Sequence, residues 1–534
     1  MNEQVTDNLS FIEIIYIVYI SAVYFVRGIG GYEGQPLFNA TLVLALLLFG
    51  VKVMLTKHTV SEYIIIALLM LLGGIIYYKT GEKWFLLNMT MLLGVKDIDI
   101  KKVLNIVLWI LLSTFVVGFL LCLTGVLTPE CMLHPKNGIG YIICYGMIYP
   151  HPNSFHSMFL LITALIIYKI GICKGRKLLL ETILLIAANI YVFLYSFSYT
   201  GFGSTMLLIL LNAYFQSRKD ISKAEYIIAE MIFPICIIFS LVGPVTITGR
   251  AFEIINKLLS TRYNLSRYFL TEQPMSLFGT RFEVPNYTYN IDCSYVYLFM
   301  QMGIVAFVIG VIGYIVLIHK LISNNNRLEL AITLAFCIAG IAEPFLFNSS
   351  FKNITIMFMG VVLYELTSKL SNFSFLIKEI QILPQEKIGL ISKKLGQLTS
   401  NALDRTRIFS VWNLCKNNKK ETGIIRTVIV AFIIGGLLAL LYLSFTSNLK
   451  GVFVSEEVNQ TTSDAPVEYM TSAEATEYVN EGYEIIGYTS ATDPLYGYFG
   501  ITGTIEYSRR VISIYVWSVA AMLSVILVIR LIKK

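Results

Sequence analysis

Short polar breaks separate long apolar runs along almost the whole chain. Most runs are long enough to cross a lipid bilayer as a helix of about 20 residues. About fourteen runs occur, near residues 11–27, 37–55, 60–78, 84–95, 103–125, 150–170, 178–197, 201–216, 224–243, 291–318, 328–349, 351–368, 424–446 and 511–531. The pattern predicts an all-α polytopic integral membrane protein with about 12 core transmembrane helices and a C-terminal pair.

The composition supports this class of protein and excludes several others. Of 534 residues, 56% are hydrophobic and 14% are charged, which is too apolar for a soluble protein of several domains. The first apolar run has no small-residue cleavage site after it, so we interpret it as a retained signal anchor. The eight cysteines occur singly, without a C-x-x-C pair. The sequence therefore predicts no metal site and no disulfide framework, and neither a cofactor nor a nucleic-acid partner is expected.

Basic side chains are distributed unevenly between alternate polar segments. If the N-terminus is cytoplasmic, the strongly basic segments all face the same side, and they lie near residues 52–58, 96–102, 174–177, 218–223 and 319–327. Lys and Arg are concentrated in the cytoplasmic loops of membrane proteins, which favours this orientation. Arg530, Lys533 and Lys534 then place the C-terminus in the cytoplasm as well.

These patterns divide the chain into three parts. Residues 1–370 are predicted to form a transmembrane core with a large extracytoplasmic loop at about 244–292. Residues 371–423 form a basic cytoplasmic linker, whose lysines are expected to contact anionic lipid headgroups. Residues 424–534 contain two transmembrane helices that frame an acidic extracytoplasmic segment, 447–508.

The loop at 244–292 carries more arginine than a segment facing away from the cytoplasm normally does. A guanidinium group keeps its charge and presents a rigid fork of donors that matches phosphate oxygens. We therefore interpret the loop as a candidate anion-binding segment, with ion pairs to the loop carboxylates on a solvated surface as the alternative. The candidate ligands of a diphosphate are Arg250, Arg262, Arg267 and Arg281.

Two carboxylates lie at the same predicted outer face. Glu343 is in an apolar run, where a carboxylate is costly unless it is paired or functional, so a role in a site is preferred for it. Asp292 stands at the start of another run, where a helix N-cap explains it as well as a site does.

Two further groups of polar residues are predicted nearby. Asn153 fits a helix N-cap, whereas His151 and His156 are candidate hydrogen-bond partners or proton-transfer groups. Ser198 and Thr200 belong to a hydroxyl-rich turn, which turn chemistry alone also explains.

Six motifs resemble those of the bacterial Wzy-type polysaccharide repeat-unit polymerases, which are relatives of the O-antigen ligases. They are GMIYPHPNSFH, SFSYTG, LLSTRYNLSRYFL, SLFGT, NIDCSYVYLFMQMGIVAF and IAGIAEPFLFNSSFKNI. The resemblance covers residues 10–370 and does not include the C-terminal pair of helices. The chain departs from the family at Tyr199 and Ile142, where basic residues are common. We therefore expect the large loop to supply more of the substrate-binding residues.

The resemblance implies a glycosyltransferase of the bacterial cytoplasmic membrane that polymerises polyprenyl-diphosphate-linked oligosaccharide repeat units for a capsule, exopolysaccharide or O-antigen-like glycan. Its site would face outward, with a flippase and a chain-length regulator as further partners. An acceptor hydroxyl would attack the anomeric carbon, and the loop arginines would stabilise the departing diphosphate. The proton acceptor would be Glu343, or else His151, Asp292 or His156. The expected sugar-binding residues are Asn153, His156, Ser198, Thr200, Tyr263 and Tyr295.

Two other functions remain open from the sequence. A glycan ligase would use the same lipid-linked donor, so no residue separates it from a polymerase. A flippase or transporter would also explain many spans and outer basic residues. The absence of an internal repeat, and the position of the polar groups at one predicted face, favour an enzyme.

Overall fold

Helices dominate the computed structural model of this chain, which describes residues 10–136, 140–285, 289–348, 350–368, 378–383, 430–441, 452–455, 468–470, 484–488 and 496–532. In chain order the helices are α1 Phe11–Gly28, α2 Pro36–Leu55, α3 Val60–Thr80, α4 Trp84–Leu93, α5 Ile100–Leu123, α6 Pro152–Ile170, α7 Arg176–Ser196, α8 Tyr199–Ser217, α9 Lys223–Leu241, α10 Gly243–Thr246, α11 Gly249–Leu258, α12 Arg262–Glu272, α13 Ser294–Val296, α14 Ile304–Ser323, α15 Arg327–Ala339, α16 Thr355–Thr367, α17 Val430–Leu441 and α18 Tyr496–Ile532. Within these ranges, eight helices are long and apolar enough to cross a membrane: α1, α2, α3, α5, α6, α7, α9 and α14. Their number indicates a membrane protein.

Local sequence signals explain where several helices begin. Before α1, the Ser10 side chain accepts a hydrogen bond from the Glu13 backbone at 3.2 Å, and the Glu13 carboxylate accepts one from the Ser10 backbone at 2.9 Å. Thr59 and Glu62 form the same reciprocal pair before α3. Each pair satisfies two backbone donors that a helix end would otherwise leave unpaired. The predicted starts at residues 11 and 60 agree with the structure for this reason.

The span predicted at 291–318 is not one continuous helix. The short helix α13 and a π turn at Tyr297–Gln301 precede α14, and Gly303 lies between the π turn and α14. Gly303 has a φ of 93°, and a Cβ atom at this position would lie 2.3 Å from the backbone nitrogen of Gly279. The chain is broken here because a neighbouring segment approaches its backbone at a distance that only glycine permits.

The spans predicted at 328–349 and 351–368 are also shorter than expected. Their helices, α15 and α16, have 13 residues each. Glu343 has an extended backbone (φ −137°, ψ 139°) before a 3₁₀ turn at Pro344–Leu346. Proline disfavours the helical conformation in the residue before it, so Pro344 keeps the chain from continuing α15. A largely non-helical connection, most of it buried, therefore links the two helices.

The span predicted at 84–95 is too short to cross a membrane. It forms α4, which has 10 residues, and nine of them are buried. The helix packs against α2, α3 and α16. Because a bilayer requires about 20 residues of helix, α4 is an internal helix of the bundle.

The segment predicted as a large loop, 244–292, is partly helical. It contains most of α10 and all of α11 and α12. Arg262 is the first residue of α12, so its side chain starts from an ordered helix rather than from an open loop.

The expectation of an all-α fold is wrong in detail, because short strands accompany the helices. Strands β1 His58–Thr59 and β4 Glu379–Ile380 pair antiparallel. Strands β2 Glu130–Lys136 and β3 Gly140–Met147 form a two-stranded sheet inside a segment that was expected to connect two spans. Strands β5 Val452–Ser455, β6 Glu468–Met470 and β7 Glu484–Tyr488 form a sheet with β5 in the centre. The length of an apolar run does not indicate such strand pairing, which depends on the context of each segment in the fold.

The chain divides into two compact units. The first comprises residues 1–128, 147–193 and 198–400, and the second comprises residues 129–146, 194–197 and 401–534. In the second unit, the buried Arg509 of α18 donates to the carbonyls of Leu194 and Ile143, at 2.5 and 2.9 Å. Its guanidinium also lies 5.1 Å from the ring centre of Tyr145. The C-terminal helix thus packs with segments that were expected to belong to the core.

Two predicted segments lie mostly outside the described residues. Of the basic linker at 371–423, the structure describes only residues 378–383. Of the acidic segment at 447–508, it describes the three strands and the first part of α18.

Candidate functional site

The candidate site is centred on the carboxylate of Glu343, which is 8% exposed. Its Oε1 atom accepts a hydrogen bond from Thr200 Oγ1 at 2.6 Å and lies 3.3 Å from Arg262 Nη2. A buried carboxylate is costly unless it is paired and hydrogen-bonded, and Glu343 has both kinds of partner.

Arg262 joins two carboxylates. Its Nη2 atom pairs with Glu343, and its Nε atom lies 3.2 Å from Asp292 Oδ2. The guanidinium is largely buried, and Ser260 and Thr261, just before α12, have left-handed backbones with φ of 50° and 69°. Such backbones are costly for residues with a Cβ atom and persist only where the surrounding structure imposes them. The strained turn therefore sets the point from which Arg262 reaches both acids.

The backbone around Glu343 is fixed by Ser294, a residue that the sequence did not identify. The Ser294 hydroxyl donates to the Glu343 carbonyl at 2.5 Å and accepts from the Leu346 N–H at 3.3 Å. Its own N–H donates to the Gly340 carbonyl at 2.8 Å. These bonds hold the non-helical segment that follows α15. The signal available in the sequence was a serine two residues after Asp292, and serine is common wherever a turn leads into a helix.

The hydroxyl-rich turn begins a helix and directs one hydroxyl to the site. Ser198 is the N-cap of α8, and its Oγ accepts the Gly201 N–H at 3.2 Å. This cap places Thr200 in the first turn of α8, where its hydroxyl donates to Glu343. Thr200, expected to bind sugar, is therefore bound to the candidate base.

Burial and charge act on these groups in opposite directions. Asp292, Glu343 and Lys352 all lie in non-helical segments outside the eight long helices. Burial raises the pKa of Glu343 and of Asp292 above their ordinary values, and Arg262 opposes both shifts. Burial, with Arg27 nearby, lowers the pKa of Lys352 to about 8. Arg262 thus favours the ionised form of Glu343 in a setting that otherwise disfavours charge.

The other predicted arginines are placed differently. Arg267 donates to the carbonyls of Pro244 and Ile247, at 2.5 Å each, and its guanidinium lies 3.7 Å from the ring centre of Phe252. It therefore connects α10, α11 and α12. Arg250 and Arg281 are exposed, and neither forms an ion pair with a carboxylate in the described ranges. Of the four, Arg262 is the one that meets Glu343.

His151 has the structural role that was expected of Asn153, namely that of a helix N-cap. The N-cap of α6 is His151, whose Nδ1 accepts the Asn153 N–H at 3.0 Å, so the expected N-cap at Asn153 is wrong. Pro152 occupies the first helical position, so the residue before it, His151, is the N-cap. His156 is fully buried in α6, and its Nε2 lies 2.9 Å from Asn189 Oδ1.

The two predicted sugar-binding tyrosines are part of the packed interior. Tyr263 and Tyr295 are 2% and 1% exposed. Their hydroxyls donate to the carbonyls of Phe239 and Cys337, at 3.3 and 2.6 Å. Both tyrosines therefore support the helices behind the site in this conformation.

The N-cap considered for Asp292 is also wrong: Cys293 precedes α13 as its N-cap, and Asp292 pairs with Arg262.

The assembled groups suit proton transfer and anion binding. A buried carboxylate is in direct contact with a bridging guanidinium and with a hydroxyl. In the portion of the chain that is described, no group of three or more His, Cys, Asp or Glu side chains is arranged to hold a metal ion. No protein-family model, curated protein or solved structure matches the chain.

Proposed function

We propose that this chain is a membrane glycosyltransferase that polymerises polyprenyl-diphosphate-linked oligosaccharide repeat units. One observation carries the proposal: four of the motifs that resemble the Wzy-type polymerases supply the residues that touch at the site. SFSYTG contributes Thr200, LLSTRYNLSRYFL contributes Arg262, NIDCSYVYLFMQMGIVAF contributes Asp292, and IAGIAEPFLFNSSFKNI contributes Glu343. Segments up to 143 residues apart thus meet around one buried carboxylate.

In the proposed reaction, Glu343 removes the proton from an acceptor hydroxyl. The hydroxyl oxygen forms a bond to the anomeric carbon of the donor sugar, and the bond from that carbon to the diphosphate oxygen breaks. The diphosphate leaves with the electron pair, and the proton stays on Glu343 until it is released. A partly desolvated carboxylate is a stronger base than one in water, which suits this role.

Arg262 and Asp292 would keep the base in position. Arg262 favours the ionised form of Glu343 before the reaction, and Asp292 holds the guanidinium from its other side. The Thr200 hydroxyl donates to the same carboxylate oxygen as Arg262, which leaves Oε2 for an acceptor hydroxyl.

The proposed location is the bacterial cytoplasmic membrane, with both termini in the cytoplasm and the site facing outward. The distribution of basic residues supports this orientation. Membrane lipids would surround the chain, and a flippase and a chain-length regulator would be its partners.

The test is a reconstituted assay. The purified chain in liposomes is supplied with lipid-linked repeat units, and products are separated by size. A ladder of lipid-linked products supports the polymerase. Transfer to another acceptor without a ladder would assign a ligase, and movement of intact lipid-linked units across the bilayer without new glycosidic bonds would assign a flippase.

A further inference from the structure

Helix α11 has an apolar stripe that the described part of the chain leaves exposed. The stripe consists of Ala251, Ile254, Ile255 and Leu258. This i, i+3, i+4, i+7 spacing places the four side chains on one face of the helix. No residue of α11 is buried, and Ile254 and Leu258 are 52% and 75% exposed. Large exposed apolar side chains that share one face indicate an interaction surface.

The orientation of this stripe is fixed, because another side of α11 is attached to α12. The ring centre of Phe252 lies 5.5 Å from that of Tyr263 and 3.7 Å from the guanidinium carbon of Arg267. Asn256 Oδ1 accepts a hydrogen bond from the Asn264 backbone N–H at 2.8 Å. Phe252 and Asn256 have the i, i+4 spacing of neighbours on one side of a helix. The helix therefore cannot turn its apolar stripe towards the protein without breaking these contacts.

The fold also keeps α11 close to the end of a helix that is long enough to cross a membrane. Only residues 242–248 separate the end of α9 from the start of α11, and α10, within this connection, packs against both α9 and α12. Arg267 donates to the carbonyls of Pro244 and Ile247 in the same connection. With 10 residues, α11 is about 15 Å long, which is too short to cross a bilayer itself. It therefore lies near the plane where α9 leaves the membrane.

The charged residues of α11 lie apart from the apolar stripe. Arg250, Glu253 and Lys257 have the spacing i, i+3, i+7, and all three are exposed. Arg and Lys can direct their charged ends towards lipid phosphates while their long apolar stems lie along the acyl chains. A helix with apolar residues on one face and basic residues on another is typical of helices that lie in the membrane interface.

We propose that α11 lies in the membrane interface, on the side of the bilayer that holds the candidate site. The apolar stripe inserts among the lipid acyl chains, which removes its exposed surface from water. Arg250 and Lys257 contact the phosphate groups of anionic phospholipids, and Glu253 faces water. Lipid fits this face better than a second copy of the chain does, because basic residues accompany the stripe and a membrane-length helix ends beside it.

This position affects the candidate site, because α11 leads directly into the turn that presents Arg262. Residues 259–261 connect α11 to α12, and two of them, Ser260 and Thr261, have left-handed backbones. A helix held in the interface keeps this turn at a constant depth relative to the bilayer. If the proposed function is correct, and this step alone rests on it, a lipid-linked substrate reaches Arg262 in the same plane.

The test measures the accessibility of a nitroxide spin label at two positions of α11. Leu258→Cys places the label on the apolar stripe, and Glu253→Cys places it on the charged side as the matched control. The purified full chain is reconstituted in liposomes that contain phosphatidylglycerol, and the labelled wild type supplies the background from the native cysteines. The relaxing reagents are oxygen, which concentrates among acyl chains, and a water-soluble nickel chelate. Size-exclusion profiles and thermal unfolding show whether each variant is folded.

We expect the label at position 258 to collide more often with oxygen than with the nickel chelate, and the label at position 253 to show the reverse. Preferential collision with nickel at both positions would overturn the proposal, because α11 would then lie in water. Shielding of position 258 from both reagents would also overturn it, because protein, such as a second copy of the chain, would then cover the stripe.

Liposomes of phosphatidylcholine alone test the contact with anionic headgroups. In these liposomes the label at position 258 should be more accessible to nickel than it is with phosphatidylglycerol. Adding Arg250→Gln and Lys257→Gln to the labelled chain should abolish this difference. If the labelled chain that keeps both basic residues shows no difference between the two lipids, the assigned headgroup contact is refuted.

The outcome for α11 is independent of the proposed reaction. A chain whose apolar stripe lies in lipid but which forms no polymer would keep this inference and refute the polymerase. A chain that forms polymer while its stripe is accessible to nickel would refute this inference alone.

Discussion

Glu343→Gln is the substitution that most directly tests the proposed reaction. Glutamine has nearly the same shape and can still accept hydrogen bonds from Thr200 and Arg262 through its amide oxygen. It cannot accept a proton at neutral pH. The change therefore removes the proposed base while keeping most of the contacts that hold it.

The expected loss of activity follows from this geometry. Losing general-base catalysis lowers turnover by about 10²- to 10⁴-fold, which is about 3–5 kcal/mol in the activation free energy. The cost to folding should be smaller. Arg262 keeps Asp292 as a partner at 3.2 Å, so no buried charge is left unpaired. We expect the free energy of unfolding to fall by about 1–3 kcal/mol, the range for one charged hydrogen bond.

The assay uses liposomes and lipid-linked repeat units at saturating concentration, with product length and initial rate as readouts. Glu253→Gln, at an exposed position on α11, is the matched control. Binding of polyprenyl diphosphate is measured in parallel, because Gln should leave it nearly unchanged. Near-normal polymer from well-folded Glu343→Gln would refute the assignment of Glu343 as the base. Weaker binding with normal turnover at saturation would assign it to substrate positioning.

Three other predictions concern the same site and its orientation. Arg262→Ala should abolish long products and destabilise the chain, because Asp292 and Glu343 lose their common cation. Arg262→Lys should recover only part of the rate, because one ammonium group cannot bridge both carboxylates. Equal rates for the wild type and the two variants would contradict this prediction. Burial raises the pKa of Glu343 above its ordinary value, so the rate should fall as the pH decreases through that raised pKa. Thr200→Val removes a hydrogen bond that lowers the pKa of Glu343, so this variant should lose activity at a higher pH than the wild type does. An unchanged pH dependence would argue against Glu343 as the titrating base. A cysteine introduced at Thr280 should react with an impermeant thiol reagent from outside the cell and one at Lys174 only after permeabilisation, and the reverse pattern would overturn the outward-facing site.

The ion pairs around Arg262 are not expected to add much to the stability of the fold. Removing two carboxylates and a guanidinium from water is costly, and well-packed apolar residues often replace such groups without loss of stability. The arrangement also requires two left-handed residues before α12. A site with these costs is more readily explained by a chemical role, which is why the proposal centres on Glu343.

The positions of many helices were determined by the sequence itself. Apolar runs and capping pairs are local features, so the predicted spans at 11–27, 60–78 and 150–170 differ from α1, α3 and α6 by two residues or fewer at each end. The burial and pairing of Glu343 were also expected from the sequence, because a carboxylate in an apolar run is costly unless it is paired and faces the protein interior.

Only the tertiary structure decided which polar residues meet. No local pattern indicates that Arg262 pairs with Asp292 and Glu343, since the second contact joins residues that are 81 positions apart. The break at Gly303 likewise depends on a backbone 24 positions earlier in the numbering, at Gly279, which approaches it too closely for a side chain. Hydrophobicity determines which segments are helices, whereas the choice of partners depends on how those segments pack.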